Sequence, residues 1–409
     1  MLTERINACY HWVYKITCGR NSVVECRLPK PNAVGSNPIA RCGGYVANLL
    51  NYFINCYTVR RQYKMFRPST LLAAALLIVL FASCASYAAT DVNFNDPFAV
   101  NKLIGRGVDI GNALDREVEL DDEWSFIVKD EHFQLIKDAG FNSVRLTVRW
   151  STRTMDKPPY TIDPNFLKRV DLAVNSALSR NLAIIINYQN YFEFYKDPNG
   201  LKPKFLATWE QLAEHYKGYP NTLIFELLNE PQEKIGAGEW NALIKETLTI
   251  VRKTNPNRTI VIGPANFNGI AGLRFLQLPE DDRNIIVTIH YYEPYHFTHQ
   301  GTSWTKDSND WIGTKWTGSD AEKLVIKKDF NAVAGWARGH NRPVYLGEFG
   351  SNEKADMDSR VLWTKCVADE AVAHGFSFTY WQFTHNFMVY DRAGKTWVKP
   401  LLDAVIPPK

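Results

Sequence analysis

From residue 104 onward the chain alternates short apolar runs with amphipathic stretches, and this alternation restricts the fold more than any other feature. The runs fall at 104–112, 143–150, 182–190, 222–230, 259–264, 285–292, 343–348 and 377–383. Amphipathic stretches lie between them at about 131–140, 165–180, 204–217, 239–254, 269–277, 320–340 and 358–375, and a short one follows at 400–406. Within 165–180, Phe166, Val170, Ala173, Val174 and Ala177 recur at helical spacing while Lys168, Arg169 and Asp171 face away. Asp163-Pro164 just ahead reads as a helix start. Runs such as Ala183-Ile184-Ile185-Ile186 and Ile285-Ile286-Val287 are apolar without alternation, as parallel strands covered on both faces require. Eight strand–helix units predict an α/β fold, a (β/α)8 TIM barrel in a single domain at 90–409. A doubly wound sheet is the structural rival, but no glycine-rich phosphate loop follows the first run.

The first 89 residues differ in kind. They hold ten Lys/Arg against two Asp/Glu, and six of the seven cysteines: Cys9, Cys18, Cys26, Cys42, Cys56 and Cys84. The remaining residues carry 37 basic against 41 acidic groups, so the net +4 of the whole chain hides a mildly acidic −4 for the folded part. That balance offers no basic stripe for nucleic acid. No Cys-x-x-Cys pair occurs, so neither a zinc site nor a disulfide framework is supported, and Cys366 reads as a small core hydrophobe. Residues 1–64 lack sustained periodicity. Their stretch from Asn21 to Arg41 looks like a translated transfer-RNA gene, so 1–64 is read as a mis-annotated extension that does not fold. Met65 then opens a basic start, an apolar run Leu71–Ala82 and a small-residue exit, which together make a signal peptide at 65–89. That run is too short to span a bilayer. Phe81-Ala82-Ser83-Cys84 resembles a lipoprotein cleavage box, which would lipidate Cys84; Ser86-Tyr87-Ala88 offers an ordinary cleavage site, and simple secretion or periplasmic export is the favoured reading.

In a barrel of this kind the chemistry collects at the C-terminal ends of the strands. Those ends carry Asn112, Arg145 with Arg149 and Trp150, Asn187 to Asn190, Asn229 and Glu230, Asn266, His290 and Tyr292, Glu348, and Trp381 with Gln382. Two of them share a design: the run Ile224–Leu228 ends in Asn229-Glu230-Pro231, and Val344–Gly347 ends in Glu348-Phe349-Gly350. Pro231 lacks an N–H and steers Glu230 out of helical geometry, which forces a strand ending or turn there. Two carboxyls at neighbouring strand ends are the simplest equipment for cutting a glycosidic bond. Singly, each residue has a plainer reading: Asn-Glu-Pro as a turn, Arg145 as a structural ion-pair partner, His290 as a core histidine, Glu348 as a loop cap. Their common address on one barrel face favours a site.

The set resembles glycoside hydrolase family 5, the cellulase and mannanase family, over nearly all of 98–407. The carriers are Gly107-Val108-Asp109-Ile110-Gly111-Asn112, Val144-Arg145-Leu146, Leu228-Asn229-Glu230-Pro231, His290-Tyr291-Tyr292, Gly347-Glu348-Phe349-Gly350 and Tyr380-Trp381. The resemblance implies Glu230 as general acid/base and Glu348 as nucleophile of a retaining endo-β-1,4-glycanase, with β-glucan as leading substrate and mannan as alternative. It further implies that Arg145 keeps Glu348 charged, Asn229 meets the sugar 2-hydroxyl, Tyr292 orients Glu348, His290 borders the acid/base and Trp381 forms the floor under the reacting sugar. Trp304, Trp311 and Trp316 are candidates to extend the cleft, although surface-loop packing explains them equally well. No metal or cofactor is expected, and the protein is expected to be a monomer.

The sequence departs from the family pattern in two places. Gln189 and Asn190 stand where relatives carry histidine; neutral amides can donate to a sugar hydroxyl or to Glu348 but add no charge. Gln382 stands where glutamate is usual, followed by His385 and Asn386 where small residues are expected. A slower enzyme, or one with shifted preference, follows from these changes. Two other readings compete: a catalytically weakened carbohydrate-binding barrel, and a metal-dependent barrel hydrolase using His296 and His299, whose His-x-x-His lies in a polar loop.

Overall fold

The structure, a computed structural model, describes residues 14–17, 23–26, 92–116 and 126–408. The chain divides into two units, Met1–Tyr87 and Ala88–Lys409. In the first, Tyr14–Thr17 pairs antiparallel with Val23–Cys26, a ribbon where no strand periodicity was expected; Ile16, Thr17, Val23 and Val24 are β-branched and suit it. The signal-peptide and Cys84 readings lie outside the described residues.

The second unit is a closed barrel of eight parallel strands: β1 (Arg106–Leu114), β2 (Ser143–Val148), β3 (Ala183–Asn187), β4 (Leu223–Glu226), β5 (Ile260–Ile262), β6 (Ile285–His290), β7 (Val344–Glu348) and β8 (Ser377–Tyr380), with β8 closing on β1. All eight expected runs form strands. Most of the core lies between strands and outer helices. In the helix Pro164–Leu178, Phe166, Val170, Ala173, Val174 and Ala177 are the buried stripe, and the Asp163 carboxylate caps the first turn by accepting from Asn165 N at 2.8 Å.

A smaller inner cluster of Ile185, Ile224, Val261, Ile286 and Tyr345 fills the barrel interior. Val100 and Ile104 join it from α1 (Pro97–Ile104), which thus packs against the inside of the barrel. This helix was not expected, because eight residues between Asp96 and Gly105 are too few to display a repeat. Conversely, the helix expected at 269–277 is only a 3-10 turn, Ile270–Phe275. Gly272 packs so closely that a Cβ would stand 2.4 Å from the Ala265 carbonyl oxygen, and glycine adds little helical preference. The helix expected from 204 begins at Pro198 and runs to Tyr216, capped by Asp197, with Pro203 inside it. A proline there lacks the N–H that would meet the carbonyl four residues back, and its ring crowds that carbonyl.

Trp316 does not extend a cleft: it is buried, 1% exposed, and its backbone N–H is held by Ser359 Oγ at 3.1 Å. Trp316→Ala should therefore lower stability by about 3–5 kcal/mol, read from denaturant midpoints. A cleft role would instead raise KM and leave the midpoint unchanged. Cys366 is half-buried, with burial pushing its thiol up to about 11. Among the described residues, no helix is long and apolar enough to cross a membrane.

Candidate active site

Strand register builds the site. β1 and β2 place Asp109 directly opposite Arg145. Between β6 and β7 the register slips at Gly347, so that Ile289 faces Leu346 but His290 faces Glu348. A bulge of this kind re-aims the side chains that follow it. Gly347 is required at this point: a Cβ would lie 2.4 Å from Thr288 Oγ1 and 3.1 Å from His290 Nε2.

Arg145 is fully buried and binds three carboxylates. Its Nε and Nη2 meet Glu226 Oε2 and Oε1 at 2.6 and 2.7 Å, and its Nη1 meets Asp109 Oδ1 at 2.9 Å and Glu348 Oε1 at 2.7 Å. Its Nη2 also donates to Asn229 Oδ1 at 2.8 Å. The bidentate grip of Glu226 fixes the guanidinium plane, and that plane aims the remaining donors. Asp109 and Glu226 had no assigned role in the sequence, yet a charge in the middle of an apolar strand must find a partner, which was a legible signal.

Glu348 accepts a second bond from Tyr292 Oη at 2.9 Å. Burial alone would raise its carboxyl; His290, Arg145 and Tyr292 outweigh burial and hold it below the ordinary glutamate value. Glu230 is shifted the other way: burial raises it, only partly offset by His290, whose Nδ1 lies 2.7 Å from Glu230 Oε1. Glu230 follows the end of β4 at φ 46°, in left-handed backbone, within the strand ending or turn expected ahead of Pro231. One oxygen of each carboxylate and a ring nitrogen of His290 lie within 4.8 Å of one another. The same three groups could ligate a metal ion, although Arg145 already supplies positive charge to Glu348 at 2.7 Å.

Tyr195 and Asn268 also belong to the site and were not foreseen. Tyr195 Oη donates to the Asn229 carbonyl at 2.5 Å, and Asn268 Nδ2 lies 3.3 Å from His290 Nε2. Asn266, the residue named from the sequence at the end of β5, is exposed. Trp381 lies against Gly111, where a Cβ would stand 2.7 Å from its Cη2. Gln382 is buried and donates to Asn112 Oδ1 at 3.1 Å. Gln189 Oε1 accepts from Asn187 Nδ2 at 2.5 Å. The carboxylate of Glu348 is taken up by Arg145 and Tyr292, and no hydrogen bond joins it to Gln189 or Asn190. His296, exposed, stacks on Trp311 at 4.1 Å and the buried His299 on Tyr295 at 4.0 Å, and burial pushes His299 down to about 4. Trp304 is 59% exposed.

The sequence pattern described as Cellulase (glycosyl hydrolase family 5) matches residues 116–387. Endoglucanase H of Acetivibrio thermocellus is 36% identical over 319 residues, 76% of this chain and 34% of that protein, so the chain spans about a third of that relative. Endoglucanase B of Clostridium cellulovorans is 28% identical, covering 81% of this chain and 80% of its own length. The structure of Thermotoga maritima Cel5A with cellobiose is 46% identical, with a TM-score of 0.74 over 76% of this chain and all of that one. The same protein has been solved with mannotriose.

Proposed function

Because the chain belongs to glycosyl hydrolase family 5, the family of the cellulases, we propose that it is an endo-β-1,4-glucanase that hydrolyses internal bonds of a β-glucan with retention of configuration. The observation that carries the reading is the close pair of Glu230 and Glu348, within 4.8 Å by their nearest ligand atoms and shifted in opposite directions. Retaining enzymes hold their carboxyls about 5–5.5 Å apart, whereas inverting ones leave about 6.5–9.5 Å for a water.

In this reading Glu348, ionised, attacks the anomeric carbon while Glu230 gives its proton to the leaving oxygen. The glycosidic C–O bond breaks and a glycosyl ester forms on Glu348. Glu230, now a carboxylate, takes a proton from water; the resulting hydroxide attacks the same carbon and frees Glu348. The Asn229 oxygen is held by Arg145, so its amide hydrogens are the part left to meet the sugar 2-hydroxyl. Trp381 would be the floor on which the sugar ring stacks. Gln189, Asn190, Gln382 and Asn112 would border the sugar and shift rate or preference. Export under the segment 65–89, with Cys84 as an alternative anchor, is part of the same reading.

The expected result is a fast fall in viscosity of soluble β-glucan, reducing ends released, and β-anomer formed first in proton NMR. kcat/KM should follow a bell in pH. It falls on the acid side as Glu348 takes a proton, below the ordinary carboxyl range, and on the alkaline side as Glu230 loses one, above it. Initial α-anomer would refute retention, and binding without turnover on every glycan would favour a binding barrel. A mannan preference is the second reading, because the 46% identical Cel5A binds mannotriose as well as cellobiose; galactomannan beside β-glucan in the same assay decides it.

A further inference from the structure

The loop leaving β5 is left-handed for three residues in a row: Asn266, Phe267 and Asn268 have φ of 69°, 59° and 52°. Backbone of this kind persists only where its surroundings hold it. Asn266 N and Phe267 N both donate to the Pro231 carbonyl, at 2.8 and 3.3 Å, which ties the loop to the residue after Glu230. The Asn268 carbonyl accepts from His290 N at 3.0 Å. The Asn268 side chain is fully buried and directs Nδ2 at His290 Nε2, 3.3 Å away. Gly263 makes room for it, since a Cβ there would stand 2.3 Å from Asn268 Oδ1. Backbone and ring of His290 are thus both held by one residue.

An amide nitrogen can only donate, so Nε2 accepts, and the single proton of a neutral ring sits on Nδ1, which faces Glu230 Oε1 at 2.7 Å. We propose that Asn268 is a positioning residue that fixes His290 as the neutral Nδ1–H tautomer, so that the ring donates to Glu230 and takes no second proton on Nε2. The proposal rests on the reading of Glu230 as acid/base. The charged groups facing the ring are Glu230 on the β4 side, Glu348 on β7, 3.7 Å from Nδ1, and Arg145 on β2. Burial and Arg145 oppose an imidazolium, but the two carboxylates outweigh them and raise the ring above the ordinary histidine value. A proton on Nε2 would point at the amide hydrogens of Asn268, which tips the ring to neutral. Glu230 then meets one hydrogen bond rather than a full positive charge, and it can hold the proton that the leaving oxygen needs.

Nitrogen-15 NMR of histidine-labelled protein tests this, with the His290 signal assigned by its loss in His290→Gln. Wild type at neutral pH should show Nδ1 protonated and Nε2 bare. Asn268→Asp places an acceptor at Nε2, so both nitrogens should be protonated. The neighbouring cation should then move the alkaline limb of kcat/KM down by about one pH unit, cut kcat about tenfold at the old optimum and leave KM within about twofold. A wild-type signal with Nε2–H, the tautomer that a reversed Asn268 amide selects, overturns the proposal, as does an Asp variant with wild-type ring signals. The ring signals are read without turnover, so their failure is distinct from failure of the glucanase reading.

Discussion

Glu348→Gln is expected to lower kcat by about 10⁴-fold or more, because removing a covalent nucleophile removes the intermediate itself. The change is nearly isosteric. The glutamine oxygen can still accept from Arg145 or Tyr292, which bond the carboxylate at 2.7 and 2.9 Å, so the fold and glycan binding should survive. Loss of turnover with unchanged affinity for a soluble β-glucan separates a catalytic role from a structural one. Glu348→Ala adds a sharper test. It opens space on the face opposite the leaving group, where azide can attack an activated aryl glycoside and give an α-glycosyl azide. Turnover within tenfold of wild type in the glutamine variant would sink the nucleophile assignment. The other two carboxylates on Arg145, those of Asp109 and Glu226, are each fully buried.

The barrel was legible because parallel strands covered on both faces leave continuous apolar runs, and Ala183-Ile184-Ile185-Ile186 and Ile285-Ile286-Val287 are such runs. The glutamate pair was legible because the runs Ile224–Leu228 and Val344–Gly347 break off abruptly in Asn229-Glu230-Pro231 and Glu348-Phe349-Gly350. What stayed hidden depends on register and loop backbone rather than on residue type. Asp109 and Glu226 are conspicuous as charges within strands, but only register shows that they share a guanidinium with Glu348. Asn268 reaches His290 because three residues turn left-handed, a conformation for which Asn-Phe-Asn gives only a weak signal. Trp316 stayed open between cleft and packing because tryptophan suits a sugar platform and a core equally well.

The guanidinium at the centre carries the second large effect. Arg145→Met should cost about 3–5 kcal/mol of stability, since it leaves buried carboxylates without their cation. The loss should also depend on pH in a direction that identifies its cause. In the wild type, Glu348 is held below the ordinary glutamate value despite burial, by His290, Arg145 and Tyr292. Its ionised form therefore contributes stability above the unfolded value of about 4.3, and the contribution is lost as pH falls through the lower folded value. Without Arg145, burial is opposed only by His290 and Tyr292, Glu348 moves upward, and the variant loses stability as pH rises through the unfolded value. The gap between wild type and variant should thus be small near pH 4 and widen toward pH 7 in denaturant midpoints. The acid limb of any residual activity should move to higher pH. Arg145→Lys separates charge from shape: it keeps a cation near Glu348 but cannot grip Glu226 bidentately, so it should narrow the pH-dependent gap while kcat remains low. A gap of equal size at both pH values would mean that Arg145 serves the barrel through packing alone, and that the low pKa of Glu348 has another source.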